Sequence, residues 1–164
     1  MATMLAYFLT FTCYGTWLHG DERSAVDKDH DQFGQEYCKP SSTRKRFQGG
    51  KLQHAPILID DAMRTVIETV VREVCEHRRW KLYAINVRTN HVHIAVWSDI
   101  DPERTMSTFK AWATRRMREA GLIAPETKFW TRHGSTRWVN TERGLDAVCS
   151  YIRDGQGRDL PKDL

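Results

Sequence analysis

No two cysteines in this chain are spaced as a C-x-x-C pair. The four present (Cys13, Cys38, Cys75 and Cys149) are scattered, which argues against a zinc ribbon and suits reduced thiols in a cytoplasmic protein. No apolar run approaches the ~20 residues of a membrane span, so no membrane partner is expected. The apolar amino terminus lacks a basic leader region and carries Thr10 and Thr12 at strand spacing, so it does not read as a secretion signal. Internal repeats and low-complexity tracts are missing as well.

What is there describes an ordinary globular chain. Its 164 residues suit one domain, 1–164, and 40% hydrophobic with 28% charged residues can build a real core. Twenty-five basic against 21 acidic residues give a net charge of +4, a lean towards polyanions that many non-binding proteins share. Six tryptophans and five tyrosines are many for the length, and they serve either packing or base stacking.

The densest chemical signal is Asn90-His91-Val92-His93-Ile94-Ala95-Val96-Trp97. Side chains alternate along a strand, so His91 and His93 share one face, about 6.6 Å apart at two residues' rise. Val92, Ile94 and Val96 take the other face, where a core can hold them. Two imidazoles side by side on a rigid sheet are a natural start for a divalent-metal site. The ordinary alternative is two hydrogen-bonded histidines of no catalytic importance.

Around this strand the pattern is mixed. Met4 to Cys13 alternates as a strand and leaves through a turn-rich stretch ending at Gly20. Residues 21–56 form a long polar insertion, acidic first and then basic at Arg44-Lys45-Arg46, either a solvated loop or a phosphate contact. Asp60 or Asp61 can cap a helix to about Arg79, with Met63, Val66, Ile67, Val70 and Val74 on one face. Leu82–Arg88, a Thr89-Asn90 turn and His91–Trp97 read as a hairpin. Asp101-Pro102 opens a helix that buries Met106, Phe109, Ala113 and Met117, while Lys110, Arg115, Arg116 and Arg118 form a basic flank. Gly121 ends that helix. Trp130 to Trp138 is basic and aromatic around Gly134, and Arg137-Trp138-Val139 enters a last strand. The carboxy-terminal helix, expected over 141–157 with Thr141 as cap, buries Leu145, Val148, Cys149 and Ile152 before Gly155 and Gly157 break it. Tyr151 lies about 100° off that apolar stripe. The order predicts an α+β, ferredoxin-like antiparallel sheet with helices packed on one face and the histidines on a central strand facing out.

Two imidazoles leave most of a metal's coordination sphere open to phosphate and water. Gln156 is the best-placed third ligand in sequence, with Asp154 as rival. A neutral amide oxygen suits Mg²⁺ or Mn²⁺ better than zinc. Such an ion polarises a phosphate oxygen and stabilises a leaving 3′-oxygen. Tyr151 is the candidate nucleophile on a DNA phosphodiester, giving a 5′-phosphotyrosine and a free 3′-hydroxyl. A further strand's 3′-hydroxyl can then reverse the step without ATP.

The chain resembles the single-tyrosine transposases of the HUH endonuclease superfamily, which include those associated with REP palindromes. The resemblance rests on Leu9-Thr10-Phe11-Thr12-Cys13-Tyr14-Gly15-Thr16-Trp17-Leu18, Asn90-His91-Val92-His93, Trp130-Thr131-Arg132-His133-Gly134-Ser135-Thr136-Arg137 and Tyr151-Ile152-Arg153-Asp154-Gly155-Gln156-Gly157. It implies a metal at His91 and His93, Tyr151 as nucleophile, and single-stranded DNA flanked by hairpins as substrate. Arg44, Lys45, Arg46, Lys110, Arg115, Arg132, His133 and Arg137 are the expected DNA contacts. Family members act as dimers that exchange the tyrosine or as monomers, so a homodimer is one expected state, and the setting is the cytoplasmic nucleoid. The family pattern places the glutamine four residues after the tyrosine. Here Gln156 follows by five, about 140° away on a continuous helix, so it reaches the metal only if the helix unwinds near Gly155.

Two other readings compete. One is a domesticated, non-catalytic hairpin-binding relative. The other is a nucleotide hydrolase or phosphoesterase, which would need a third histidine where Ala95 stands, or two His-x-Thr/Ser motifs that are missing.

Overall fold

The computed structural model describes residues 3–15 and 57–154. The polar insertion 21–56 with Arg44, Lys45 and Arg46, and the end of the chain with Gly155, Gln156 and Gly157, lie outside the described residues. Seven elements follow in order: β1 (Ala6–Thr12), α1 (Asp61–Arg78), β2 (Lys81–Val87), β3 (His91–Trp97), α2 (Pro102–Glu119), β4 (Ser135–Val139) and α3 (Glu142–Asp154). The helices begin where capping chemistry puts them. Asp60 Oδ1 accepts from the Met63 amide at 2.8 Å, Asp101 Oδ1 from Arg104 at 2.9 Å, and Thr141 Oγ1 from Gly144 at 2.9 Å. Arg79, in the left-handed region at φ 59°, closes α1 by donating to the Cys75 and Glu76 carbonyls.

The strands form one antiparallel sheet in the order β2-β3-β1-β4. That order with a βαββαβ succession is the ferredoxin-like arrangement expected from the sequence, and the histidine strand β3 is central. Alternation sorts the sheet's two faces. Leu9, Phe11, Val92, Ile94 and Val96 join Ile67, Val70, Val74, Met106, Phe109 and Met117 in the larger core under α1 and α2. Ala6, Phe8, Ala84, Ala95 and Val139 meet Val148, Cys149 and Ile152 of α3 in a smaller core on the other face.

The expectation of helices on one face therefore holds for α1 and α2 and not for α3, which lies across the face that carries the histidines. The reason is area. Two 18-residue helices already fill the first face, and the apolar stripe of α3 needs a partner. Small residues on the second face let α3 approach closely. A register shift in β2 between Leu82 and Ala84 helps, because Leu82 stays in the first core while Tyr83 and Ala84 serve the second.

Candidate functional site

Register places a row of polar side chains across the α3 face. Thr10 of β1 pairs with His93 of β3, Asn86 of β2 pairs with His93 from the other side, and Thr12 pairs with His91. Cross-strand partners point to one side of a sheet, so these groups are neighbours. The two imidazole centroids are 4.6 Å apart, with planes inclined at 71°. Thr10 Oγ1 is 2.8 Å from His93 Nδ1, and Asn90 Oδ1 is 2.6 Å from His91 Nδ1. The Asn90 carbonyl oxygen only accepts, so His91 carries its hydrogen on Nδ1 and its lone pair on Nε2. Thr10 can hold His93 in the same tautomer. Engaging Nδ1 to orient Nε2 is how metal-binding histidines are usually supported.

Both imidazoles are held neutral. Burial, with the nearby Arg88 cation adding, pushes His91 down to about 4. Burial pushes His93 to about 3, with His91 and Arg88 adding to the effect. A neutral imidazole is the form that offers a lone pair to a cation.

α3 brings Tyr151 to this pair. Its ring centroid lies 5.6 Å from that of His93 and 5.9 Å from that of Phe8, in the same chain. As the offset from the apolar stripe anticipates, Ile152 is fully buried and Tyr151 only half-buried. Asn86 Nδ2 donates to the Ile152 carbonyl at 2.8 Å, and Arg153 donates to the Tyr83 carbonyl at 3.4 Å.

Among the described residues no three His, Cys, Asp or Glu side chains gather as a metal cluster. Asp154, the last described residue of α3, is exposed and is not among any such group.

The expected DNA contacts divide. Arg137 pairs with Phe8 and so shares the histidine face. Lys110, Arg115, Arg132 and His133 instead line a separate groove of about 570 Å³ between α2 and residues 127–133. Arg118 and Lys128 add two more cations there, against one carboxylate, Glu103. Lys110 also builds the groove. Its Nζ donates to the carbonyls of Thr131 at 3.0 Å and His133 at 2.6 Å and lies 5.6 Å from the Phe11 ring centroid. Burial lowers its pKa to about 8, with Glu103 opposing, so at neutral pH it remains an ammonium. The segment it holds is tight: His133 sits at φ 72°, and a Cβ on Gly134 would fall 2.5 Å from the Thr10 carbonyl oxygen.

Sequence reasoning missed Thr10, Asn86 and Asn90 as neighbours of the histidines. Thr10 and Thr12 showed strand alternation, but nothing local revealed which strand they faced. Of the other sulfur groups, Cys13, Cys75 and Cys149 are free and buried. Burial pushes Cys13 up to about 12, which makes it inert near neutrality. No helix among the described residues is long and apolar enough to cross a membrane.

Comparison with known proteins narrows the reading. No curated protein matches the chain. A solved structure of a REP-associated tyrosine transposase bound to a REP hairpin is similar over 90% of this chain, at 13% identity and a TM-score of 0.47. This chain spans 63% of that one's length. Residues 53–155, which include both histidines and Tyr151, match the family described as IS200-like transposases. With that match running through most of the sheet, α1, α2 and α3, the chain belongs to the IS200-like transposase family.

Proposed function

We propose that this protein is a metal-dependent single-stranded DNA endonuclease and strand transferase, transposase-like, that uses Tyr151 to form a 5′-phosphotyrosine beside DNA hairpins. One observation carries the reading. The His91–His93 pair and the Tyr151 ring meet on one sheet face within a single chain, the latter 5.6 Å from His93 between centroids.

The residues fit a divalent cation in chemistry: two neutral imidazoles whose Nδ1 atoms are occupied by Asn90 and Thr10. His91 and His93 would hold Mg²⁺ or Mn²⁺, and Gln156 is assigned as third ligand on sequence grounds alone. When bound, the ion supplies charge neutralisation at the scissile phosphate and at the departing 3′-oxygen. The chain's own part is positional. α3 presents the Tyr151 hydroxyl, whose ordinary pKa near 10 means that it gives up its proton as it attacks. The P–O bond to the tyrosine forms as the P–O3′ bond breaks, and the 3′-oxygen takes up a proton. The phosphate stays on the 5′ end of the downstream fragment, attached to protein, so a 3′-hydroxyl can later displace the tyrosine. The tyrosine is assigned to its own chain's histidines, whether or not two copies associate.

The basic groove supports a DNA substrate. Lys110, Arg115, Arg118, Lys128 and Arg132 concentrate positive charge away from the histidines, which suits phosphates of a hairpin stem while a single strand enters the tyrosine side. Arg137 serves that side, and Arg44, Lys45 and Arg46 are assigned to phosphate contacts from their sequence pattern. The second reading, a non-catalytic hairpin binder, would keep the groove and abandon the histidines. The neutral, oriented imidazoles favour turnover.

The test is a panel of hairpin-flanked single-stranded oligonucleotides, including palindromes encoded beside the protein's own gene, incubated with Mn²⁺ or Mg²⁺. A band on a denaturing gel with protein attached to the 5′ end supports the nickase. Tight binding to one hairpin with no adduct to it under either metal would turn the assignment to the pure binder.

A further inference from the structure

We infer that Asn86 is a positioning residue that fixes Tyr151 over the histidines by anchoring the last turn of α3. This rests on the reading of Tyr151 as nucleophile. Asn86 lies on β2 directly opposite His93, so it belongs to the same row as the metal-facing imidazole. Asparagine is disfavoured in strands, and a half-buried amide needs partners. Its Nδ2 finds one 2.8 Å away in the carbonyl of Ile152, the residue after Tyr151.

The apolar contact between α3 and the sheet cannot do this alone. On the sheet side it is built from Ala6, Phe8, Ala84, Ala95 and Val139, an apolar surface whose attraction is non-directional. A slip of one helical turn moves a side chain about 5.4 Å, which rivals the 5.6 Å between the Tyr151 and His93 centroids. A hydrogen bond of fixed direction from the histidine row to the main chain beside Tyr151 ties the two halves of the site into one register. The 3.4 Å contact from Arg153 to the Tyr83 carbonyl ties the same end of the helix to β2.

Asn86→Asp tests this with almost no change of shape, because a carboxylate in that place has no hydrogen to give at neutral pH and repels the Ile152 carbonyl. Asn86→Ala is the second variant. With full-length protein, Mn²⁺ and a cleaved hairpin substrate, the adduct-forming rate at saturating DNA should fall about tenfold or more. The KM for DNA should stay within about twofold, since the assigned phosphate contacts lie off α3. In metal-free protein, the nuclear Overhauser contact between the Tyr151 and His93 rings should weaken, while that between Tyr7 and Trp138, whose centroids are 5.2 Å apart, should persist as a control on folding. An unchanged ring contact, or an unchanged rate, in both variants overturns the inference. If the wild type forms no adduct with any hairpin, the nucleophile reading fails by itself, and the ring contact still decides whether Asn86 holds the tyrosine in place.

Discussion

Thr10 and His93 face each other across the β1–β3 ladder, with the threonine hydroxyl 2.8 Å from His93 Nδ1. The pair is 83 residues apart in sequence, and it sets which ring nitrogen looks away from the sheet. Thr10→Val keeps the shape and removes the oxygen. Mn²⁺ affinity, read by titration calorimetry, should fall roughly 10–100-fold. An unchanged affinity would mean that Nδ1 needs no support.

Replacing either imidazole itself is more severe. His91→Ala and His93→Ala should each abolish measurable Mn²⁺ binding and adduct formation. EDTA should silence the wild type, and added Mn²⁺ should restore it. Retained cleavage in the double variant would separate the activity from this pair.

Tyr151→Phe should leave no covalent adduct and change hairpin affinity by under about 1 kcal/mol, because the hydroxyl is the only atom removed. A filter-binding curve beside a denaturing gel reads both at once.

Half-buried His91 and buried His93 also predict how the metal-free protein responds to acid. Their folded values, about 4 for His91 and about 3 for His93, lie below the ordinary 6.5. Between those limits the unfolded chain binds more protons than the folded one, so stability is complete above about pH 6.5 and is lost as pH falls towards 4. Thermal melts in EDTA should show that slope. His93→Gln should flatten it, and equal slopes in both proteins would contradict the burial argument.

The groove makes a separable prediction. Arg115→Ala and Arg132→Ala should each weaken hairpin binding and reduce the salt-dependence slope by about one, without altering the adduct rate at saturating DNA. Gly134→Ala, by contrast, should destabilise the fold by roughly 1–3 kcal/mol, because its Cβ meets the Thr10 carbonyl oxygen and Met106 Sδ at 2.5 and 2.7 Å. Chemical denaturation distinguishes the two kinds of effect.

Much of the molecule was legible locally. Asp60, Asp101 and Thr141 announce helix starts because a cap is a contact within three residues. The alternation of His91-Val92-His93-Ile94 announces a strand with both imidazoles on one side, and the ferredoxin-like order followed from the succession of elements. Tyr151's offset from the stripe of Val148, Cys149 and Ile152 fits its half-buried place at the margin of the smaller core.

What local pattern could not decide was which face α3 would cover, and that decision creates the site. It depends on how much of each sheet face the other helices have filled, a property of the whole packed layer. Only that choice sets Tyr151 beside His93, aligns Asn86 with Ile152, and parts Arg137 from the groove cations. Periodicity is written in neighbours along the chain, whereas register and layer are settled between segments that meet only after folding.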